Sequence, residues 1–386
     1  MNIAMFSDTY VPQKNGVATA LKLYKESMKK MGHRVYMFVP KLGIDSKRHE
    51  DDVFEFPAFK FTAEKDHRIA LPISTDIFKA NKLDLDVIHS HSPFSMGIAA
   101  DLVAKALDLP YVGTHHTMYE YYRHYVPFIF RPSLKQAQKL IRNWCIKLDK
   151  VIAPTKDIKD VLVQYGVPAE HIAVIPTGID TYSFDGPVLW DIRKEYSIRE
   201  EEKILLFVGR LAEEKNIVFL IKMFSKLIKQ TDQKYKFVIV GDGPEREKLE
   251  ELSIELDLHD SIIFTGGQPR EKVIDAYKQS DLFVFASYTE TQGLVVLEAM
   301  AACTPVVALG KMGVRDLLSQ KDAGGIMIDE LNENEFIDSI IKLTQNKELY
   351  EKYSEKACNF VRNNYSINVT GQKIVEVYSQ AIRGIN

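Results

Sequence analysis

The chain is poor in the residues that build covalent or metal scaffolds. Its 386 residues include only three cysteines, Cys145, Cys303 and Cys358, far apart and without CxxC or Cys/His spacing. Neither a disulfide framework nor a structural zinc site is suggested, and a reducing, cytoplasmic setting fits best. No apolar run is long enough to span a bilayer. The first residues pass directly into the strand-like run Asn2 to Phe6, with no basic region or apolar signal core, so no secretory signal is expected. HExxH is absent, and Gly241-Asp-Gly243 lacks the third glycine of a dinucleotide fingerprint, which weakens metalloprotease and nicotinamide readings. Asp84 and Asp86 form a DxD pattern, but it precedes a strand rather than following one, the wrong end for a ligand. It reads as a solvated turn, and no obligatory metal or other cofactor is expected. Strong charge of one sign is also missing, at a net −3. That total conceals an asymmetry: residues 1–180 hold 24 Lys and Arg against 20 Asp and Glu, the remainder 26 against 33. The basic half is the candidate for an acidic partner, and nucleic acid is not expected to be that partner.

What is present is an α/β alternation. Strand-like runs at 2–6, 34–39, 87–90, 111–114 and 150–153 are interleaved with amphipathic stretches, and a second series follows at 204–208, 236–240, 261–264, 281–286 and 305–308. Two doubly wound domains facing each other are the natural inference. The expected boundaries are a first domain at 1–180, a weakly periodic linker at 181–202, a second domain at 203–365, and a final helix at 366–386 packing back on the first domain.

Chemistry is expected where strands end. Glu298 interrupts an apolar, small-residue helix after the strand at 281–286, and a buried carboxylate needs a partner. With Glu290 in the preceding loop, the amides of Thr291, Gln292, Gly293 and Leu294 would stand at a helix start, where phosphate is favoured. Glu298 could then accept from ribose hydroxyls and Glu290 from those of a sugar. At ~100° per residue, eight positions place the two about 80° apart around a helix and roughly 12 Å apart along it, too far for the ~5–9.5 Å separation of a glycosidase acid and nucleophile, so shared acid-base work is not expected. Arg210 and Lys215 follow the strand at 204–208 on the same sheet edge, a combination suited to a diphosphate leaving group. A solvated loop is the alternative. Asn15, Gly16 and Val17 close the loop after the first strand, either as an anion-approaching helix start or as an ordinary turn. His115 and His116 follow the strand at 111–114, and one could contact a sugar hydroxyl or help deprotonate an acceptor. His89 and His91 read as a core or acceptor-side pair.

Between Arg123 and Lys147 there is no acid. A helical pattern there puts Leu134, Ala137, Leu140, Ile141, Trp144, Cys145 and Leu148 on one face and Lys135, Lys139 and Arg142 on the other. Tyr119, Tyr121, Tyr122, Tyr125, Phe128 and Phe130 lie just upstream. Aromatics beside cations suit an anionic bilayer surface, while a plain domain helix is the alternative for the helix itself.

Together, Asn15-Gly16-Val17, Gly32-His33-Arg34-Val35, Pro176 to Asp180, Gly209-Arg210 with Lys215-Asn216, Gly241 to Gly243, and Glu290-x7-Glu298 resemble the retaining, nucleotide-sugar-dependent family 4 glycosyltransferases. The resemblance spans nearly the whole chain. It implies the GT-B fold, two Rossmann-like doubly wound domains facing across a cleft, the first for acceptor and membrane and the second for the nucleotide sugar. It further implies that Arg210 and Lys215 neutralise the donor diphosphate, that Gly16 with Val17 closes over it, and that Glu298 holds the ribose. Glu290 and the amides from Thr291 to Leu294 would hold the transferred sugar, and His116 matches the active-site histidine. Gln292 stands where many relatives carry an aromatic residue. The stretches from Ser7 to Gly16, His91 to Ser95, His115 to Glu120 and Thr289 to Leu294 look like bacterial 1,2-diacylglycerol 3-alpha-glucosyltransferases, although phosphatidylinositol mannosyltransferases and other lipid or polyol transferases share similar stretches. This implies UDP-glucose as donor, diacylglycerol or a related lipid as acceptor, and a peripheral position on the anionic inner face of the cell membrane. Asp8, Tyr10, His91, Tyr119 and Tyr122 would then lie on the acceptor side, and Lys135, Lys139 and Arg142 on the membrane side. The rivals are another acceptor, lipid, soluble or already glycosylated, or a non-catalytic membrane-surface scaffold on the same fold.

Overall fold

The computed structural model of the protein describes residues 1–13, 15–43, 50–60, 68–72, 77–116 and 132–385. The chain divides into two compact units, Met1–Gly178 with Ile367–Asn386, and Ile179–Ser366.

In the first unit, strands β1 (Asn2–Phe6), β2 (Arg34–Pro40) and β3 (Val53–Phe56) precede a short antiparallel ribbon, β4 (Ala58–Lys60) with β5 (Arg68–Ala70). Strands β6 (Val87–Ser90), β7 (Tyr111–Thr114), β8 (Lys150–Ala153) and β9 (Ile172–Val174) follow. The main sheet has the order β3-β2-β1-β6-β7-β8-β9 and is parallel throughout. Its order reverses between β1 and β6, so the loops after these strands diverge and leave a crevice at their carboxyl ends. The second unit contains β10 (Lys203–Val208), β11 (Tyr235–Val240), β12 (Ile262–Gly266), β13 (Leu282–Phe285), β14 (Val306–Leu309) and β15 (Gly325–Ile328), in the order β12-β11-β10-β13-β14-β15, again all parallel. Its switch point lies between β10 and β13. Residues Ile204 to Phe207 are wholly buried without alternation, as expected of a strand covered by helices on both faces.

The helix Ile367–Ile385 completes the first unit. It packs on the helix Gly16–Lys30, where the Ser27 hydroxyl donates to the Ile367 carbonyl at 3.1 Å. A Cβ at Gly178 would lie 2.2 Å from the Thr370 hydroxyl and 2.8 Å from the Ile367 Cα. Only glycine lets the chain pass there. Among the described residues, no helix is long and apolar enough to cross a membrane.

Two expectations are corrected. The stretch 181–202 is not a linker, because Phe184, Trp190, Ile192 and Ile198 are buried in the second unit's core. The amides of Leu189 and Trp190 donate to the Asp275 carboxylate at 3.0 and 2.8 Å. Its weak periodicity reflects anchoring by scattered large residues rather than by a repeating face. Cys303 and Cys358 form a disulfide with Cα atoms 4.7 Å apart, because the helix Leu294–Ala301 packs against the helix Lys347–Asn364. Sequence separation gave no sign of that contact. Cys145 stays a buried thiol, pushed up to about 12 by burial.

Candidate active site

In the second unit the candidate residues gather at the switch point. The loop after β10 carries Arg210, exposed to solvent, and ends in a 3-10 turn, Glu213–Lys215, closed by Asn216 in the left-handed region at φ 54°. The loop after β13 lies against it: the Ser287 hydroxyl and the Tyr288 amide both donate to the Glu214 carbonyl at 3.1 Å. This brace brings the Lys215 ammonium into a hydrogen-bonded ion pair with Glu290. Two residues 75 apart in sequence thus share one polar centre. The Glu290 loop is braced from its other side by Gly313, whose amide donates to the Glu290 carbonyl at 2.9 Å. A Cβ on Gly313 would meet the Thr291 carbonyl oxygen at 2.3 Å and the Gln292 Cα at 2.5 Å, so glycine is required for this close approach. Gly241 plays a similar part between the loops after β10 and β11. Its φ is 147°, and a Cβ there would sit 1.9 Å from the Gly209 carbonyl oxygen.

The helix Leu294–Ala301 begins after Gly293, at φ 79°. Glu290 therefore precedes the helix, and Glu298 lies just over one turn into it rather than two. The helical separation used to set aside a paired acid and nucleophile does not apply. What separates the two carboxylates is that each has its own partner. Glu298 is 8 % exposed; its Oε1 lies 2.7 Å from the Arg270 guanidinium and its Oε2 accepts from the Tyr277 hydroxyl at 3.1 Å. Burial works against the Arg270 charge, but Glu298 outweighs it and holds that guanidinium above its ordinary value. Burial and the adjacent carboxylate push the Tyr277 phenol well up, so it remains a donor. Arg270 and Tyr277 had no signal in the sequence beyond an ordinary amphipathic helix. Leu294 and Thr291 are part-buried, whereas Gln292 is buried and packs inward. The helix start leaves its first amides outside the intrahelical ladder, which suits an anion.

In the first unit, Asn15 caps the helix Gly16–Lys30 through its Oδ1, which accepts from the Ala18 amide at 2.9 Å. Gly16 is exposed and Val17 part-buried at the first turn. Four imidazoles collect at the ends of β6 and β7. His89 contacts the Tyr378 hydroxyl at 2.6 Å through Nδ1 and the Thr114 hydroxyl at 2.8 Å through Nε2. Its ring lies 4.0 Å from that of His91, and His91 Nδ1 is 2.9 Å from His116 Nε2. Burial lowers all four: His89 and His116 to about 3, His115 to about 4, and His91 well below its ordinary value. They are neutral at neutral pH.

Models of known families match both halves: Glycosyltransferase Family 4 over residues 14–182 and Glycosyl transferases group 1 over residues 189–360. An alpha-monoglucosyldiacylglycerol synthase of Streptococcus pneumoniae is 35% identical over 99% of this chain and 86% of its own length. The chain is a family 4 glycosyltransferase. A synthase of the same name from Acholeplasma laidlawii is 32% identical over 92% of each chain. Among solved structures, Anabaena HepE in complex with UDP superposes with a TM-score of 0.79 at 17% identity, over 98% of this chain and 100% of that one. That likeness places the fold among the GT-B glycosyltransferases.

Two acceptor-side candidates of this glycosyltransferase, Tyr10 and Asp8, make structural contacts within the first unit. Tyr10 is 2 % exposed and belongs to the core of the first unit, because the loop after β1 folds inward. Asp8 accepts from the hydroxyls of Ser92 and Ser95 and from the Met96 amide at 3.2 Å, so it caps the helix Ser95–Leu107. Tyr119 and Tyr122, with the rest of 117–131, lie outside the described residues. Lys135, Lys139 and Arg142 are exposed on the helix Leu134–Cys145, which starts in a capping box of Ser133 and Gln136. Leu134 and Leu140, expected on one face with the other apolar residues, are 45% and 46% exposed. The core is reached by Ala137, Ile141, Trp144, Cys145 and Leu148 instead. The DxD pattern also has a structural use: Asp86 accepts from the Asn2 amide at 2.7 Å and so pins β1.

Proposed function

We propose that this glycosyltransferase moves glucose from UDP-glucose to the 3-hydroxyl of 1,2-diacylglycerol with retention of the α configuration, working peripherally on the anionic inner face of the cell membrane. The observation that carries the reading is the Lys215–Glu290 pair at the switch point of the second sheet, with the exposed Arg210 on the same loop as Lys215. An ammonium already held by a carboxylate can exchange that partner for an arriving diphosphate, which frees Glu290 to accept from hydroxyls of the transferred sugar. Glu298 can hold the ribose as well as Arg270 and Tyr277, since a carboxylate offers about four acceptor positions. Relatives named as monoglucosyldiacylglycerol synthases support the acceptor class.

In this reading the bond from the glucose C1 to the diphosphate oxygen breaks while a bond from C1 to the acceptor oxygen forms on the same face. The acceptor proton passes to the departing phosphate. Lys215 and Arg210 stabilise the charge that develops there, so catalysis is chiefly electrostatic, and the reaction calls for no metal ion. His116 is assigned to the active site, where it would contact a sugar hydroxyl or the acceptor. The test is incubation with a panel of UDP- and GDP-sugars and with diacylglycerol, phosphatidylinositol, monoglucosyldiacylglycerol and small polyols in anionic mixed micelles. The expected product is α-glucosyldiacylglycerol from UDP-glucose. A β-linked product, or turnover confined to another donor or acceptor, refutes the assignment, and undetectable UDP-sugar binding by calorimetry points to a scaffold.

A further inference from the structure

His91 has one ring nitrogen on His116 and the other enclosed. Its Nδ1 lies 2.9 Å from His116 Nε2, while its own Nε2 is buried with no hydrogen-bond partner among the described residues. A neutral imidazole carries one N–H. An orphaned buried N–H is costlier than an under-satisfied acceptor, so the proton of His91 belongs on Nδ1, donating to His116 Nε2. The proton of His116 is then on Nδ1. His91 is itself held in place, because its ring packs tilted against that of His89, with centroids 4.0 Å apart. His89 is in turn locked between the Thr114 hydroxyl on β7 and the Tyr378 hydroxyl on the helix Ile367–Ile385.

We propose that His91 is a positioning residue that fixes the orientation and tautomer of His116, the active-site histidine of the proposed reaction. This rests on the assignment of His116 to the active site. The array Tyr378–His89–His91 also makes the helix Ile367–Ile385 part of the support for that residue, although it is remote in sequence. Sequence reading placed His91 in a core or acceptor-side pair; in this proposal it acts through His116.

Two substitutions separate positioning from packing. His91→Asn places an amide N–H where Nδ1 stood, preserving the bond and losing the ring. His91→Phe preserves a ring and its packing and loses the bond. Expected is a turnover number in His91→Asn within about threefold of wild type and roughly a tenfold loss in His91→Phe, the size of one neutral hydrogen bond, with KM for UDP-glucose within twofold in both. A merely structural ring gives the reverse order. Where His91→Phe does not fold, His91→Gln, whose amide overlays Nε2 rather than Nδ1, serves for comparison and should lose turnover. Ring 15N shifts of histidine-labelled protein supply a readout independent of turnover: the His116 proton sits on Nδ1 in wild type and populates Nε2 in His91→Phe. An unchanged His116 tautomer in His91→Phe, or full turnover there with loss in His91→Asn, overturns the inference. Undiminished turnover in His116→Ala overturns instead the role given to His116, while the ring shifts still report whether His91 holds it.

Discussion

Lys215 and Glu290 show how a residue's meaning changes with its partner. Each alone is an ordinary surface charge in a polar loop; joined, they place a cation where two strand ends of one sheet diverge. Replacing Lys215 by Ala should lower kcat/KM for the donor by roughly 100- to 1,000-fold, or about 3–4 kcal/mol of transition-state stabilisation. The same change should cost only about 1 kcal/mol in denaturant unfolding, because the pair is partly hydrated. Wild-type kinetics in that variant, measured with UDP-glucose, would remove Lys215 from the chemistry. The two glutamates were legible in the sequence because carboxylates in an apolar helix and in a strand-end loop demand explanation. Their partners were not. Arg270 stands 28 residues before Glu298 and Gly313 stands 23 after Glu290, and nothing in local spacing announces a contact across a sheet edge.

At the level of elements, the parallel strands were the most readable part of the chain, since runs such as Ile204 to Phe207 have no polar face to confuse their period. β3, β9 and β15 are short edge or near-edge strands with partly exposed residues, and their weaker signal left them unassigned. The helix Leu134–Cys145 was readable in its cations but not in its leucines. Helical periodicity grouped Leu134 and Leu140 on one face with Ala137, Ile141 and Trp144, whereas the structure leaves both exposed, as it does Lys135, Lys139 and Arg142. Apolar side chains interleaved with cations suit an interface between water and anionic lipid. Changing Lys135, Lys139 and Arg142 together to Gln should therefore weaken binding to anionic vesicles by roughly 100-fold, at about 1 kcal/mol per cation, with little effect on neutral vesicles. Cosedimentation at two salt concentrations checks it; the wild type should release as salt rises. Equal partitioning of wild type onto neutral and anionic vesicles would argue for another role.

For the whole molecule, acid sensitivity should be concentrated in the first unit. His89, His91 and His115 are each at most 1 % exposed, and burial, aided for His89 and His91 by neighbouring imidazoles, sets their folded-state values far below the 6.5 of an exposed histidine. A depressed folded value means that the unfolded chain takes up protons first. The stability held above pH ~6.5 is then lost as pH falls toward about 4, at up to about 1.4 kcal/mol per pH unit for each imidazole. Thermal melts from pH 7.5 to 4.5 should show the transition of the first unit falling steeply, and His89→Gln should flatten its slope. A pH-independent transition would mean that the imidazoles are not enclosed as described.

The helix Ile367–Ile385 adds a consequence for biosynthesis. The second unit is one continuous stretch, Ile179–Ser366, while the first needs residues emerging only after that stretch is made. At roughly 5–20 residues per second a ribosome spends on the order of 10–40 s between the two parts. During that interval the second unit can fold, while Tyr24, Ser27 and His89 still lack the partners or packing that this helix supplies. The unit begun first is thus completed last, and the surface awaiting its helix is the one a nascent-chain chaperone would meet.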